Sequence, residues 1–299
     1  MPYSNKLKSI FFGITIFFCQ NTLFGQDIIP YGLYFNNWKV VNPASAGLSG
    51  SQKFDITYRA NNTKFDYNPS YALISWENRL IDLNSGLGII FENRQIGPRT
   101  RVYASALYDY QINLNEENKL SFGANFNFLS ETFDFSSFRP IDPNDPILAI
   151  NSSSSNAFDL GLGVVFKSKT FHVGIAVRNL LESKIENSEI DLLTNNTIQH
   201  LTAYGEYQVE FRNFRFIPST YLYTDYENIF FDLNPTLEFM KLLLIGGTFR
   251  ISNDNSFVNV NAGINWNDKI QLIGIVYSSG YEGEGNNFEF SLSISIDQK

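Results

Sequence analysis

The stretch Val258-Asn259-Val260-Asn261-Ala262-Gly263-Ile264-Asn265-Trp266 alternates apolar and polar residues without a break. A side-chain period of two is the signature of a β-strand with unlike faces. The pattern returns at the end of the chain, where Phe288, Phe290, Leu292, Ile294 and Ile296 oppose Glu289, Ser291, Ser293, Ser295 and Asp297. A strand of about ten residues with one apolar and one polar face fits a membrane-spanning β-barrel, whose wall meets lipid outside and polar groups inside.

Working back through the 299 residues, the same pattern recurs. Leu120, Phe122, Ala124, Phe126 and Phe128 oppose Lys119, Ser121, Gly123, Asn125 and Asn127. Val102, Ala104, Ala106, Tyr108 and Tyr110 oppose Tyr103, Ser105, Leu107, Asp109 and Gln111. Phe158, Leu160, Leu162, Val164 and Phe166 oppose Asp159, Gly161, Gly163 and Lys167, with Val165 the exception. Strands are expected near 52–60, 70–79, 86–94, 100–113, 119–130, 156–167, 170–178, 200–211, 214–223, 229–240, 242–251, 256–267, 269–278 and 287–297. The stretches 70–79 and 242–251 alternate least regularly. The fold class is therefore all-β, a transmembrane antiparallel barrel of about 14 strands. An even count lets both ends of the barrel lie on one side of the membrane.

Connections should then alternate, with short periplasmic turns and long outer loops. The expected turns are Asn115–Asn118, Ser168–Lys169, Arg212–Asn213, Lys241 and Asp268, and the expected outer loops are 130–155, 179–199 and 279–287. Composition agrees, because 16% of residues are aromatic and only 17% charged, a balance suited to an apolar band with aromatic girdles.

Residues 1–25 read as a secretory signal peptide, with Lys6 and Lys8 ahead of the apolar run Ile10–Phe18 and processing expected near Gly25–Gln26. Phe18 stands where lipidation at Cys19 would want a small residue, so Cys19 is expected to leave with the signal. The segment 26–50, punctuated by Pro and Gly, should be irregular, either a periplasmic segment or a plug, and 51–299 should form the barrel. Removing Lys6 and Lys8 leaves 20 basic against 30 acidic side chains, a net charge of −10. Such a balance offers no basic stripe for nucleic acid. The location expected is the bacterial outer membrane, with its lipid as one partner.

Glycines recur inside the strands: Gly86, Gly88, Gly161, Gly163, Gly174, Gly246, Gly247, Gly263 and Gly274. Two readings stand, a tapered and curved wall, or lumen space left for an inserted segment. His172 and His200 fall on inward faces, but no serine or acid spacing makes either a catalytic base. Asp142-Pro143-Asn144-Asp145-Pro146 and the loop with Glu282 and Glu284 are acidic without the spacing of a calcium loop. The chain has no P-loop, no GxGxxG before a helix and no paired Cys or His ligands. No catalytic residue, cofactor or metal is expected, and the protein should not be an enzyme.

Asn42-Pro43-Ala44-Ser45-Ala46-Gly47 resembles the NPA-x-AG element of the PorP/SprF family, outer-membrane proteins of the type IX secretion system. The resemblance continues through Gly86-Leu87-Gly88, Ile96-Gly97-Pro98-Arg99-Thr100, Lys119-Leu120-Ser121-Phe122-Gly123, Phe158-Asp159-Leu160-Gly161-Leu162-Gly163, Phe171-His172-Val173-Gly174-Ile175-Ala176-Val177 and Asn179-Leu180-Leu181. It implies a non-enzymatic barrel that assists secretion or surface anchoring of a gliding adhesin-like partner through that partner's type IX C-terminal domain. Other secretion components, periplasmic anchoring lipoproteins among them, are further partners it implies. Asn42, Pro43, Ala44 and Gly47 are the candidate partner-binding residues, along with the outer loops, with an N-terminal plug or a turn packed on the barrel base as their plainer reading. The alternative function is a porin-like channel for small solutes, which a barrel of this width would allow.

Overall fold

The computed structural model describes residues 32–61, 69–136, 152–186, 194–253, 256–267, 269–277 and 287–297. The expected signal peptide with Cys19 and its processing site, the Asp142–Pro146 stretch and the Glu282 and Glu284 loop lie outside the described residues. Fourteen strands make the wall: β1 Gln52–Asn61, β2 Ser70–Leu80, β3 Ser85–Ile96, β4 Arg99–Asn113, β5 Lys119–Asp134, β6 Ser152–Lys167 and β7 Phe171–Arg178. They continue as β8 His200–Tyr207, β9 Phe214–Thr224, β10 Ile229–Phe239, β11 Leu243–Ser252, β12 Ser256–Trp266, β13 Ile270–Tyr277 and β14 Asn287–Ile296. A short piece, Val209–Glu210, prolongs β8.

Each strand pairs antiparallel with its sequence neighbours, and the sheet closes where β1 meets β14, from Gln52↔Ile296 to Asn61↔Asn287. Closure leaves no lateral edge, the condition for a sheet in hydrocarbon. The faces are inverted relative to a soluble protein. Val260 is 60% exposed while its neighbours Asn259 and Asn261 are 2% and 1% exposed. Phe126, Phe158, Leu162 and Ile74 likewise face out, and Asp55, Ser75, Asp109, Ser121 and Asn127 are buried inside. An apolar exterior around a polar interior is a wall built for lipid. Tyr71 and Leu73 explain why β2 alternates weakly in sequence, since both are buried on the inward face.

The connections follow the expected alternation only in part. Every connection at the end where β1 begins is tight, 81–84, 114–118, 168–170, 211–213, 240–242 and 267–269, which marks that end as periplasmic. At the other end, 97–98 and 225–228 are also tight, and only three residues separate β11 from β12, so outer loops are not uniformly long. Local chemistry accounts for two of these. Gly97 takes a left-handed φ of 58° ahead of Pro98, and the Asp225 carboxylate accepts from the amides of Glu227 at 3.2 Å and Asn228 at 2.6 Å. The expected outer loop 130–155 is shorter than read, because β5 and β6 stay paired to Asp134↔Ser152. Ser153 and Ser155 keep the inward alternation going above the apolar band.

The wall is uneven beside β6. Its ladder with β7 stops at Leu162↔Val177, although β6 continues to Ser152. The described parts of the expected loop 179–199, residues 179–186 and 194–199, fold back against that free side instead of standing clear of the barrel. Leu180 donates its amide to the Leu160 carbonyl at 2.9 Å. A two-stranded ribbon, Lys184–Ile185 with Asn195–Asn196, follows. Ile185, 1% exposed, packs against Leu129, Ala157 and Tyr103.

Candidate functional site

The site is the lumen, and residues 32–50 lie within it, held from Glu289 on β14 to Lys167 on β6. The segment is irregular, as its Pro and Gly content dictates, with three single 3-10 turns at Tyr34–Asn36, Trp38–Val40 and Pro43–Ser45. Asn42 caps the third turn by accepting from the Ala44 amide at 2.9 Å, with Pro43 in the position where a missing N–H costs nothing.

Four inward glycines make room for this segment against the wall, two for its backbone and two for the Asn42 side chain. A Cβ on Gly123 would overlap the backbone of Ala44, and one on Gly86 would overlap the Ala46 carbonyl. A Cβ on Gly163 would overlap the Asn42 carboxamide, and one on Gly174 would stand 2.8 Å from Asn42 Nδ2. Gly47, with φ 77°, lies so close to Gly86 that a side chain there would come within 2.7 Å of its Cα. Of the two readings of the strand glycines, the inserted segment holds for Gly86 and Gly163, while Gly174 makes room for Tyr204 of the wall as well as for Asn42. Gly161, Gly246, Gly263 and Gly274 meet only other wall residues, which suits a curved wall.

The polar lumen supplies the segment's hydrogen bonds. The Gly32 and Leu33 amides donate to the Glu289 carboxylate at 3.1 and 2.9 Å, near the outer end of β14. Tyr34 donates to Asp232 at 2.8 Å, and Arg250 grips the same carboxylate with two bonds of 2.6 and 2.5 Å. Trp38 stacks on Tyr204 at 4.2 Å and donates to Glu206 at 3.1 Å. Arg178 donates to the Val40 carbonyl and Thr202 to the Val41 carbonyl. Asn42 Nδ2 donates to the carbonyls of Val164 and Ile175, both at 3.2 Å.

At the centre Lys39, 2% exposed, lies 2.6 Å from Asp55 and 3.1 Å from Glu77. Burial alone would pull its ammonium below the usual lysine value, but Glu77 and Asp55 outweigh burial and hold it above. A buried charge with two buried counter-charges fixes one position of the segment, because any displacement strands an ion.

The candidate partner-binding residues Asn42, Pro43, Ala44 and Gly47 are brought together here, all buried between the segment and β3, β5, β6 and β7. Sequence reading missed Lys39, Tyr34 and Trp38. The signal was present in Trp38-Lys39-Val40-Val41, a lone cation inside an apolar run. His172 faces inward as expected and sets its ring edge-on to Trp38 at 5.7 Å. His200 packs tilted against Tyr223 at 5.2 Å, with Nδ1 3.2 Å from the Ile198 carbonyl. Both histidines serve packing in this arrangement.

Above the segment, Asp159 ties the outer ribbon to the wall. Its carboxylate accepts from the Leu181 amide at 3.0 Å and from the Thr197 hydroxyl at 2.5 Å. Asn195 reaches Glu131, which also holds Arg99 and Arg101. The lumen is thus occupied from both ends.

A family model described as type IX secretion system membrane protein PorP/SprF matches residues 23–296, spanning the segment and the whole wall. The chain belongs to the PorP/SprF family. It is an outer-membrane β-barrel of that secretion family. No curated protein matches the chain. Among solved structures, the monoaromatic hydrocarbon channel CymD is similar at 9% identity and a TM-score of 0.54, covering 87% of this chain and 92% of that one. The Pseudomonas putida toluene transporter TodX is similar at 7% identity and a TM-score of 0.53, covering 88% and 94%. A Pseudomonas aeruginosa FadL homologue matches at 9% identity with a TM-score of 0.50, covering 86% and 92%. At such identities the PorP/SprF chain shares the fold of these proteins, and the fold alone.

Proposed function

We propose that this barrel is a non-enzymatic accessory of type IX secretion that binds a secreted, gliding adhesin-like surface protein through its C-terminal domain. Other components of the machine, periplasmic anchoring lipoproteins among them, would bind the same protein. The observation that carries the reading is a lumen occupied by the chain's own residues 32–50 inside a wall of the PorP/SprF family. A barrel filled in this way suits protein binding at its rims better than free passage of solutes. Asn42, Pro43, Ala44 and Gly47, buried as they are, would support a partner by fixing the segment, and direct contact with them requires the segment to move. The signal peptide 1–25 would be removed on export, leaving the mature barrel in the outer membrane.

The test is an affinity pull-down of the tagged protein from detergent-solubilised outer membrane, read by mass spectrometry. Recovery of a large surface protein with a type IX C-terminal domain, or of other secretion components, is the expected result. Recovery of the barrel alone, from membranes that contain those proteins, together with a large steady conductance in planar bilayers, would replace this reading with the porin-like channel.

A further inference from the structure

The early stop of β7 leaves a length of sheet edge on β6 without a partner strand. In an antiparallel ladder each residue turns its N–H and C=O to one side, and successive residues alternate. Leu160 accepts from the Leu180 amide at 2.9 Å, so its backbone faces away from β5. By that alternation Phe158, Asn156 and Ser154 face the same way. The chain's own return covers this edge only partway. The Leu160 amide donates to Asp159 at 2.7 Å, and the Phe158 carbonyl accepts from the Ser183 hydroxyl. Lys184–Ile185 then turns inward, where Ile185 packs on Leu129 and Ala157. Among the described residues, the backbones of Asn156 and Ser154 have no hydrogen bond on the side away from β5.

The edge emerges where the lipid-facing residues end. Leu162, Leu160 and Phe158 are exposed on the outward face of β6, and the next positions on that face are Asn156, Ser154 and Ser152, also exposed. Hydrocarbon forbids an unpaired edge, and at Leu160 both backbone groups are satisfied. Above it, water lets an edge stand open. Exposed edges are usually guarded by Lys, Pro or a bulge that stops another strand from adding. Ser152-Ser153-Ser154-Ser155-Asn156-Ala157-Phe158 holds no Lys, Pro or Gly. On its other side the stretch is secured, with the ladder to β5 unbroken and the Ser154 and Thr132 hydroxyls 2.9 Å apart.

We propose that the Ser152–Phe158 edge of β6 is a docking site for an extended, uncharged strand of a partner polypeptide, which adds antiparallel to β6 and prolongs the line of β7. The N–H and C=O groups of Asn156 and Ser154, with the Phe158 amide, would pair with it. An apolar or β-branched side chain beside Phe158 would extend the contact that ring already makes with Phe126 and Phe128. The edge spans about 20 Å at ~3.3 Å per residue, room for a strand of about six residues. Two observations choose this occupant. A second barrel in the same membrane presents its own β6 running the same way, so two such edges would meet parallel and could not continue the antiparallel ladder. The stretch carries no charged side chain, so backbone pairing and not charge must supply recognition. The proposal deepens the secretion reading and rests on it only in taking the strand from a protein at the outer surface.

The test uses a fluorescein-labelled hexapeptide of alternating Thr and Val, titrated into the full-length protein in detergent and read by anisotropy. The control peptide is methylated at every backbone nitrogen, which keeps the side chains and removes each donor. Saturable binding of the unmethylated peptide alone is expected. Ser154→Pro with Asn156→Pro removes two amides that face away from β5, so the ladder to β5 keeps its bonds while peptide binding should weaken about tenfold. Lys184→Ala, at an exposed ion pair on the ribbon, should bind like wild type. Heat-modifiable gel mobility checks folding, and if the double proline variant does not fold, the methylated peptide on the wild-type protein decides. Absence of saturable binding to wild type, equal binding of the methylated peptide, or equal binding by a folded double proline variant overturns the proposal. A peptide failure removes this edge as a docking site and leaves the pull-down of a secreted client untouched, whereas an empty pull-down leaves the peptide result standing.

Discussion

Residues 32–50 and the ribbon Lys184–Ile185 with Asn195–Asn196 both lie within the wall, and they are held by different means. The inner segment meets the wall backbone against glycine at Gly86 and Gly123, with a buried ion cluster at Lys39. The outer ribbon hangs on side chains, chiefly the Asp159 carboxylate and the small apolar cluster around Ile185. Backbone contact at glycine tolerates no substitution and no slack, whereas a carboxylate that collects amides and hydroxyls can release them to water. The inner segment should behave as part of the wall, and the ribbon as a separable cover.

The sharpest way to break this contrast is at Lys39. Lys39→Met leaves Glu77 without its cation and Asp55 with only Lys53, and should cost about 3–5 kcal/mol, read as a fall in the detergent melting temperature. Adding Asp55→Asn and Glu77→Gln should recover part of that loss. Gly123→Leu, which drives a side chain into Ala44, should cost about 1–3 kcal/mol. It should also open stepwise conductance in planar bilayers, while Gly88→Ala, whose added carbon finds 3.4 Å contacts, stays closed. Asp159→Ala should loosen the ribbon by about 1 kcal/mol for each hydrogen bond lost. The expected readout is faster proteolytic nicking between 179 and 199 with an unchanged barrel melting temperature, and a lowered barrel midpoint would refute the separable cover. Lys184→Ala, breaking an ion pair exposed at both ends, should leave both readouts unchanged.

The wall was legible in the sequence because lipid and a polar lumen impose opposite demands on alternate residues. Val260 between Asn259 and Asn261 states that demand in three letters. The strand ends were less legible at β5 and β6, where the ladder continues above the lipid and Ser152–Ser155 must satisfy only water and hydrogen bonding. The element 42–47 stood out by its residues, but not the wall that receives it, because Gly123 and Ala44 meet only through long-range register. Lys39 was passed over for the same reason, since its partners lie 16 and 38 residues away on neighbouring strands. The ribbon left no pattern at all. Two-residue strands have no period to read, and their placement follows from the early stop of β7.

The segment's attachments are spread along the barrel axis, from Glu289 near the outer end of β14 to Lys167 at the periplasmic mouth. A pull directed straight down that axis loads all of them at once, as a lap joint is loaded in shear. A sideways tug at Gly50 would instead peel them one by one. The same bonds would then make a stiff stopper against an axial load and a yielding one against a lateral one, so the direction from which a partner pulls would decide whether the barrel stays shut.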